Sequence, residues 1–111
     1  MSSNQLSNDP PTVVCKIATQ QQWEQMQATG VLLPAPIDVS DGFIHLSSEQ
    51  QVPGTLAAHF AGQTGLVVLH IRVAEIEANL RWEESRGGDR FPHLYAELPL
   101  SAVERVESVL T

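Results

Sequence analysis

The sequence predicts an α+β domain: a small split sheet, mixed or antiparallel, carrying two or three helices. Three observations lead there. Apolar runs of period two, strongest in residues 65–73, are interspersed with segments of helical spacing. Ser or Thr stands three residues before Gln or Glu at Thr19/Gln22, Ser48/Gln51 and Ser101/Glu104, the spacing of a capping box. The length of 111 residues, with 42% apolar and 17% charged residues, fits one globular core. A chain of this size buries about two-thirds of its unfolded surface without a metal or disulfide staple.

Residues 1–11 are Ser-, Asn- and Gln-rich, lack a basic start and an apolar stretch, and read as a disordered leader rather than a signal peptide; residues 12–111 form the domain. Residues 12–17 (TVVCKI) form the first strand, with Val14 and the Cys15/Ile17 face competing for the core. Thr19 opens a helix over 20–28, with Trp23 as its core anchor and Gly30 as its stop. Residues 31–41 (VLLPAPIDVSD) break both periodicities and predict a loop long enough to wall a site.

Residues 43–47 (FIHLS) alternate as a strand, with Phe43, His45 and Ser47 on one face. Val52, Leu56 and Phe60 at spacing four predict a helix over 49–61, with Pro53 and Gly54 in its first turn or interrupting it. Residues 65–73 (GLVVLHIRV) predict a central strand, and 74–79 a turn or short helix. In the strand 80–84 (LRWEE), Leu80, Trp82 and Glu84 share one face and Arg81 and Glu83 the other, before the charged loop SRGGDR. Residues 91–98 (FPHLYAEL) return to β character, with Pro92 placing the start at an edge or bend and His93 and Tyr95 on one face. The C-terminal stretch fits either a helix or a closing strand.

Six Lys and Arg against 13 Asp and Glu give a net charge of −7, which argues against the broad cationic footprint of a duplex-binding protein. Arg72, Arg81, Arg86 and Arg90 lie close in sequence, so one local site for a small anion stays open. Cys15, the single cysteine, excludes an intramolecular disulfide framework and fits a reducing compartment. No apolar run is long enough to span a membrane, so the cytoplasm is the expected location.

Asp41, His45, Ser47, Glu83, Arg86, His93 and Tyr95 have no evident core duty and flank tight loops. His45 either bonds a sugar hydroxyl or moves a proton, or is a core histidine satisfied by a carbonyl. Ser47 and Ser48 cap the next helix, whose N-terminus can also receive a phosphate. Glu83 is either a carboxylate aimed at a developing positive charge, with Trp82 as a stacking wall, or a strand glutamate paired with Arg81 or Arg86. Arg86 before two glycines fits a phosphate clamp or an ordinary hairpin loop. His93 and Tyr95 line the His45 face or simply pack there. No spacing typical of a zinc site, a P-loop or a dinucleotide fingerprint occurs, so metal is not the leading idea.

Two segments are more specific: DGFIHLSSEQQV (residues 41–52) and LRWEESRGGDRFPHLY (residues 80–95) resemble the signature segments of the bacterial domain-of-unknown-function family numbered 952. The resemblance runs from the VCKI strand and the Trp23 helix through LPLSAV (residues 98–103). It implies a fold similar to the ADP-ribosyl transferase superfamily, which includes NAD-consuming toxins and RNA 2′-phosphotransferases. His45-Leu46-Ser47 resembles the His-x-Ser or His-x-Thr strand of that superfamily, in which the histidine bonds the nicotinamide-side ribose. Tyr95 then stands for the stacking tyrosine and Glu83 for the acid, although Glu83 precedes Tyr95 and the superfamily order is His, Tyr, Glu; Glu97 follows Tyr95 by two residues only.

The implied function is a cleft for a nucleotide-like ligand, walled by His45, Trp82, Arg86, His93 and Tyr95, with Asp41 and Ser47 as further contacts. NAD is a possible substrate for ADP-ribosyl or 2′-phosphate transfer, with His45, Glu83 and His93 as the catalytic set. The alternatives are a non-catalytic ligand-binding module, or buried structural histidines with function in protein contacts. The oligomeric state is left open.

Overall fold

A computed structural model describes residues 11–85 and 87–109 of the chain. The expected leader lies outside the described residues except for Pro11, and Arg86 lies outside them as well. The fold is α+β, with two antiparallel sheets and three helices. In chain order the elements are β1 (Val13–Thr19), α1 (Gln20–Thr29), α2 (Pro36–Asp41), β2 (Ile44–His45), β3 (Ser47–Ser48), α3 (Val52–His59), β4 (Leu66–Arg72), β5 (Leu80–Glu84), β6 (Arg90–Leu94) and β7 (Val103–Ser108).

The large sheet runs β3-β1-β4-β7 and the small sheet β2-β6-β5. β4 is central as expected, paired with β1 over the full length of both. Both faces of β1 are buried, so the competition between Val14 and the Cys15/Ile17 face has no loser. Val14 and Ala18 join Val67, Leu69 and Ile71 in the principal core, with Ile44 and Leu94 of the small sheet and Met26 of α1. On the opposite face Cys15, Ile17, Leu66 and Val68 pack with Val52, Leu56 and Phe60 of the α3 segment. Each fully buried aliphatic side chain contributes about 1.5–3 kcal/mol.

α1 begins at the expected box, Thr19 and Gln22 bonding each other's backbone N–H, and ends on Gly30 in the left-handed conformation at φ 86°. Its anchor is Met26, fully buried, rather than Trp23, which packs half-buried at the margin of the core.

The structure corrects two further readings. The stretch expected as loop contains α2, which starts on Pro36 and stops on Gly42 at φ 84°, the usual proline-in, glycine-out punctuation. The expected single strand over 43–47 is broken at Leu46: β2 pairs with β6, and β3 pairs with β1 in the other sheet. The start of β6 lies at an edge as expected: residues 90–92 pair with β5, while the β2 pairing covers only His93 and Leu94.

The break at Leu46 and the place of Pro92 have one cause. Leu46 N–H donates to the Pro92 carbonyl at 3.1 Å, so the nitrogen of Pro92 also faces the β2 side. Without a proton it cannot return the bond, the ladder stops there, and the chain crosses to the large sheet. The helix expected over 49–61 is a 3-10 turn, Glu49–Gln51, followed by α3. The C-terminal segment resolves as the strand β7.

Candidate active site

β2, β6 and β5 carry their apolar residues toward the core, where Ile44, Leu94, Leu80 and Trp82 pack. Alternation along each strand sends the intervening residues to the outer face. Register then aligns His45 with His93 and His93 with Arg81, one row across all three strands. Glu83 stands beside that row, and Phe43 lies over it, stacked on the His93 ring at 4.1 Å and 23° and near the rings of His45 (4.6 Å) and Tyr95 (5.3 Å).

Two polar arms meet at this aromatic centre. In the first, Asp38 of α2 is 3% exposed and grips the chain from four sides. Its Oδ1 accepts from the His45 backbone N–H at 3.0 Å and lies 2.7 Å from His45 Nδ1; its Oδ2 accepts from Ala35 N–H at 3.0 Å and from Lys16 Nζ at 3.1 Å. Lys16, 5% exposed, reaches across from β1 and also donates to the His45 carbonyl at 3.2 Å. Burial alone drives the Asp38 carboxyl upward, but the Lys16 charge, the His45 donors and Ala35 N–H outweigh it and hold Asp38 below the ordinary carboxylate range. Burial pushes Lys16 down against the pull of Asp38. The far nitrogen of His45, Nε2, lies 2.9 Å from Asp41 Oδ2, so the ring is bracketed by two carboxylates.

In the second arm Glu83 Oε1 accepts from Tyr95 OH at 2.7 Å and lies 2.8 Å from His93 Nδ1. The Tyr95 and His93 bonds together lower the Glu83 carboxyl, and the bond to Glu83 raises the Tyr95 phenol. An ionised carboxylate only accepts, so His93 donates to Glu83 from Nδ1. The Arg81 guanidinium lies 5.4 Å from the Tyr95 ring centroid.

The structure thus brings together Asp41, His45, Glu83, His93 and Tyr95. It does not bring in Trp82 or Ser47. Trp82 neighbours Glu83 in sequence but takes the opposite face of β5 and packs on the core, so it cannot wall the site. Ser47 lies beyond the break at Leu46, buried on the large sheet with its hydroxyl 3.1 Å from that of Thr55 in α3. Arg86 lies outside the described residues. Arg72 and Arg81 lie apart: Arg72 donates to the Ser101 carbonyl beside Glu104, whereas Arg81 lies at the aromatic cluster.

Lys16 and Asp38 are the site residues that sequence reasoning missed. The available signal was Lys16 itself, a lysine inside the apolar run VVCKIA, whose burial requires a counter-charge. A cavity of about 420 Å³ opens beside the cluster, bounded by Asp38, Phe43 and Tyr95 on the site side and by Leu32, Val39 and Glu97 beyond. Its size is that of a small-molecule pocket. Among the described residues no group of three or more His, Cys, Asp or Glu side chains is placed to hold a metal ion, and no helix is long and apolar enough to cross a membrane.

His70, on the far face of β4, belongs to a separate cluster. Its Nε2 lies 3.0 Å from Glu107 Oε1 and its Nδ1 3.6 Å from both Cys15 Sγ and Glu49 Oε2. Burial, with Glu49 and Glu107 adding to it, pushes the Cys15 thiol up to about 11.

The chain is similar to solved structures of CC0527 of Caulobacter crescentus. Its crystal structure is 42% identical, with a TM-score of 0.81 over 86% of this chain and 83% of that one. A double mutant of it gives the same values. Its solution NMR structure is 40% identical, with a TM-score of 0.79 over 89% and 85% of the two chains. No curated protein matches the chain. The family model described as "Protein of unknown function (DUF952)" matches residues 17–106, a span that contains His45, Glu83, His93 and Tyr95, and the chain belongs to that family.

Proposed function

We propose that the outer face of the small sheet binds a ribose-bearing, nucleotide-like ligand. The observation that carries this reading is the His45–His93–Arg81 row with Glu83 and Tyr95 tied beside it, drawn from three strands onto one face. Phe43 and Tyr95 offer ring surfaces for a base, the histidines offer partners for sugar hydroxyls, and Arg81 offers a cation for a phosphate. The resemblance to ADP-ribosyl transferases supports NAD as the substrate to try first.

The reaction this arrangement suits is cleavage of a ribose C1′–N bond. The bonding pair leaves with the base, the ribosyl group becomes an oxocarbenium-like cation, and an acceptor oxygen closes on C1′ as its proton passes to solvent. Glu83, kept ionised by its two donors, faces the developing positive charge. Glu83 and Tyr95, inverted in chain order relative to that superfamily, meet here through a 2.7 Å hydrogen bond.

A second reading, a binder without turnover, draws on a different observation: both His45 nitrogens and Glu83 Oε1 already have protein partners. One experiment separates them. Thermal shift and ligand-observed NMR are run with NAD, ADP-ribose, nicotinamide and a 2′-phosphorylated oligoribonucleotide on wild type, His45→Ala and Glu83→Gln. Binding lost in His45→Ala supports the site, and nicotinamide release lost in Glu83→Gln supports the reaction. An intact ligand after long incubation supports the binder, and absence of any shift overturns the ligand assignment.

A further inference from the structure

β7 is the outermost strand of the large sheet, and no described residue pairs with its free edge. We propose that this edge pairs antiparallel with β7 of a second copy of the chain, centred on Val106, so that two four-stranded sheets become one of eight strands.

Backbone direction and charge together select the register. Val109 N–H donates to the Leu66 carbonyl of β4 at 3.0 Å. Alternation therefore turns the backbone groups of Glu107 and Arg105 toward β4 and those of Val106 and Ser108 toward the free edge. Outward groups must meet outward groups, so a twofold pairing centres on a residue and not between two. Centring on Glu104, Arg105 or Glu107 sets identical charges opposite each other, which destabilises a strand pair.

Centring on Val106 sets Val106 against itself, Arg105 against the partner's Glu107 and, by symmetry, Glu107 against the partner's Arg105. Arg105 Nη1 already lies 3.8 Å from Glu107 Oε1 within one chain, so the pair of strands carries a ladder of alternating charge. Val106 is one of the few large apolar side chains left exposed, at 37%, and no proline or glycine interrupts residues 103–108. Edge strands that avoid such pairing usually carry a proline, a bulge or charged side chains; the charges of β7 at 105 and 107 are opposite in sign and complement each other in this register. Here the one irregularity, opposite His70 and Ile71, lies at the start of β7 and leaves residues 105–108 regular.

Centred on Val106, the paired stretch of β7 is residues 104–108, a small interface, so the dimer is weak and concentration-dependent. Sedimentation equilibrium of the full chain from about 10 μM to about 1 mM is expected to show the average mass rising from one chain toward two. Arg105→Glu, which faces the partner's Glu107 with a like charge, is expected to stay monomeric. Val106→Pro, which removes only an outward N–H, is expected to do the same with an unchanged circular dichroism spectrum, and it serves if the first variant does not fold.

Register is read by cysteine cross-linking under mild oxidation. Val106→Cys, on the twofold axis, forms an intermolecular disulfide, while Ser108→Cys, offset from the axis, does not; Cys15 is buried and does not compete. A single-chain mass at every concentration, a dimer indifferent to both substitutions, or equal cross-linking at 106 and 108 overturns the proposal.

Discussion

Two carboxylates in this molecule grip a histidine through Nδ1, and their surroundings could hardly differ more. Asp38 is sealed between α2 and the large sheet, where a lysine and two backbone N–H groups share it with His45. Glu83 sits on the open face of β5 and is shared by a phenol and an imidazole. The comparison separates two uses of one interaction. Around Asp38 the bond holds elements together, since Lys16 comes from β1, Asp38 from α2 and His45 from β2. Around Glu83 all partners belong to the same two strands and the residue that follows them, so the bond orders side chains already placed by the ladder.

The sharpest break of this comparison is Asp38→Ala, which strands Lys16 without a counter-charge. A loss of about 3–5 kcal/mol is expected. Since each kcal/mol shifts a domain of this size by roughly 4 °C or more, thermal unfolding should show a fall of more than about 10 °C. Glu83→Gln should leave the urea midpoint unchanged while abolishing ligand turnover, because its loss frees no buried charge. A destabilised Glu83→Gln or an indifferent Asp38→Ala would erase the distinction.

The pH dependence follows with its sign. Asp38 is held below its ordinary value, so its contribution is complete above about pH 4 and disappears as pH falls through the lowered value. Stability measured in urea at stepped pH should therefore drop in wild type below that range and less steeply in Asp38→Asn.

A smaller effect has an unusually clean readout. Tyr95 is the single tyrosine of the chain, so the alkaline ultraviolet titration reports it alone. The midpoint should lie above the usual value near 10, and Glu83→Gln should bring it back. The least perturbing test is thiol labelling: Cys15, buried and raised to about 11, should react with a disulfide reagent only when the chain is unfolded.

What the sequence revealed depended on whether the deciding partner was local. α1 could be read from Thr19, Gln22 and Gly30, because a capping box and a left-handed stop are interactions within a few residues. β4 could be read from the period-two pattern of GLVVLHIRV, with Val67, Leu69, Ile71 and Val73 on one face. The break at Leu46 could not, because it depends on Pro92, which lies 46 residues away and acts only through register.

The site divided in the same way. His45, Glu83, His93 and Tyr95 stood out as polar residues on strands. Asp38 looked like a turn-former in a proline-rich stretch, and only its contact with Lys16 across the fold shows what it does. Trp82 was misplaced by adjacency: next to Glu83 in sequence means the opposite side of the strand in space.

The brevity of β2 bears on how the molecule opens. β1 and β4 share seven cross-strand pairs, whereas β2 holds to β6 by two. Amide exchange should therefore be slowest along β1 and β4, and the small sheet should open as its own cooperative unit before the whole domain does. The first group to cross that boundary is Lys16 Nζ, which ties the His45 carbonyl to the large sheet. Loss of the histidine row is then a local event, opposed by this lysine and by the packing of Ile44 and Leu94 on the core, and a ligand seated on that row would slow exchange in β2 and β6 while leaving β1 and β4 as they were.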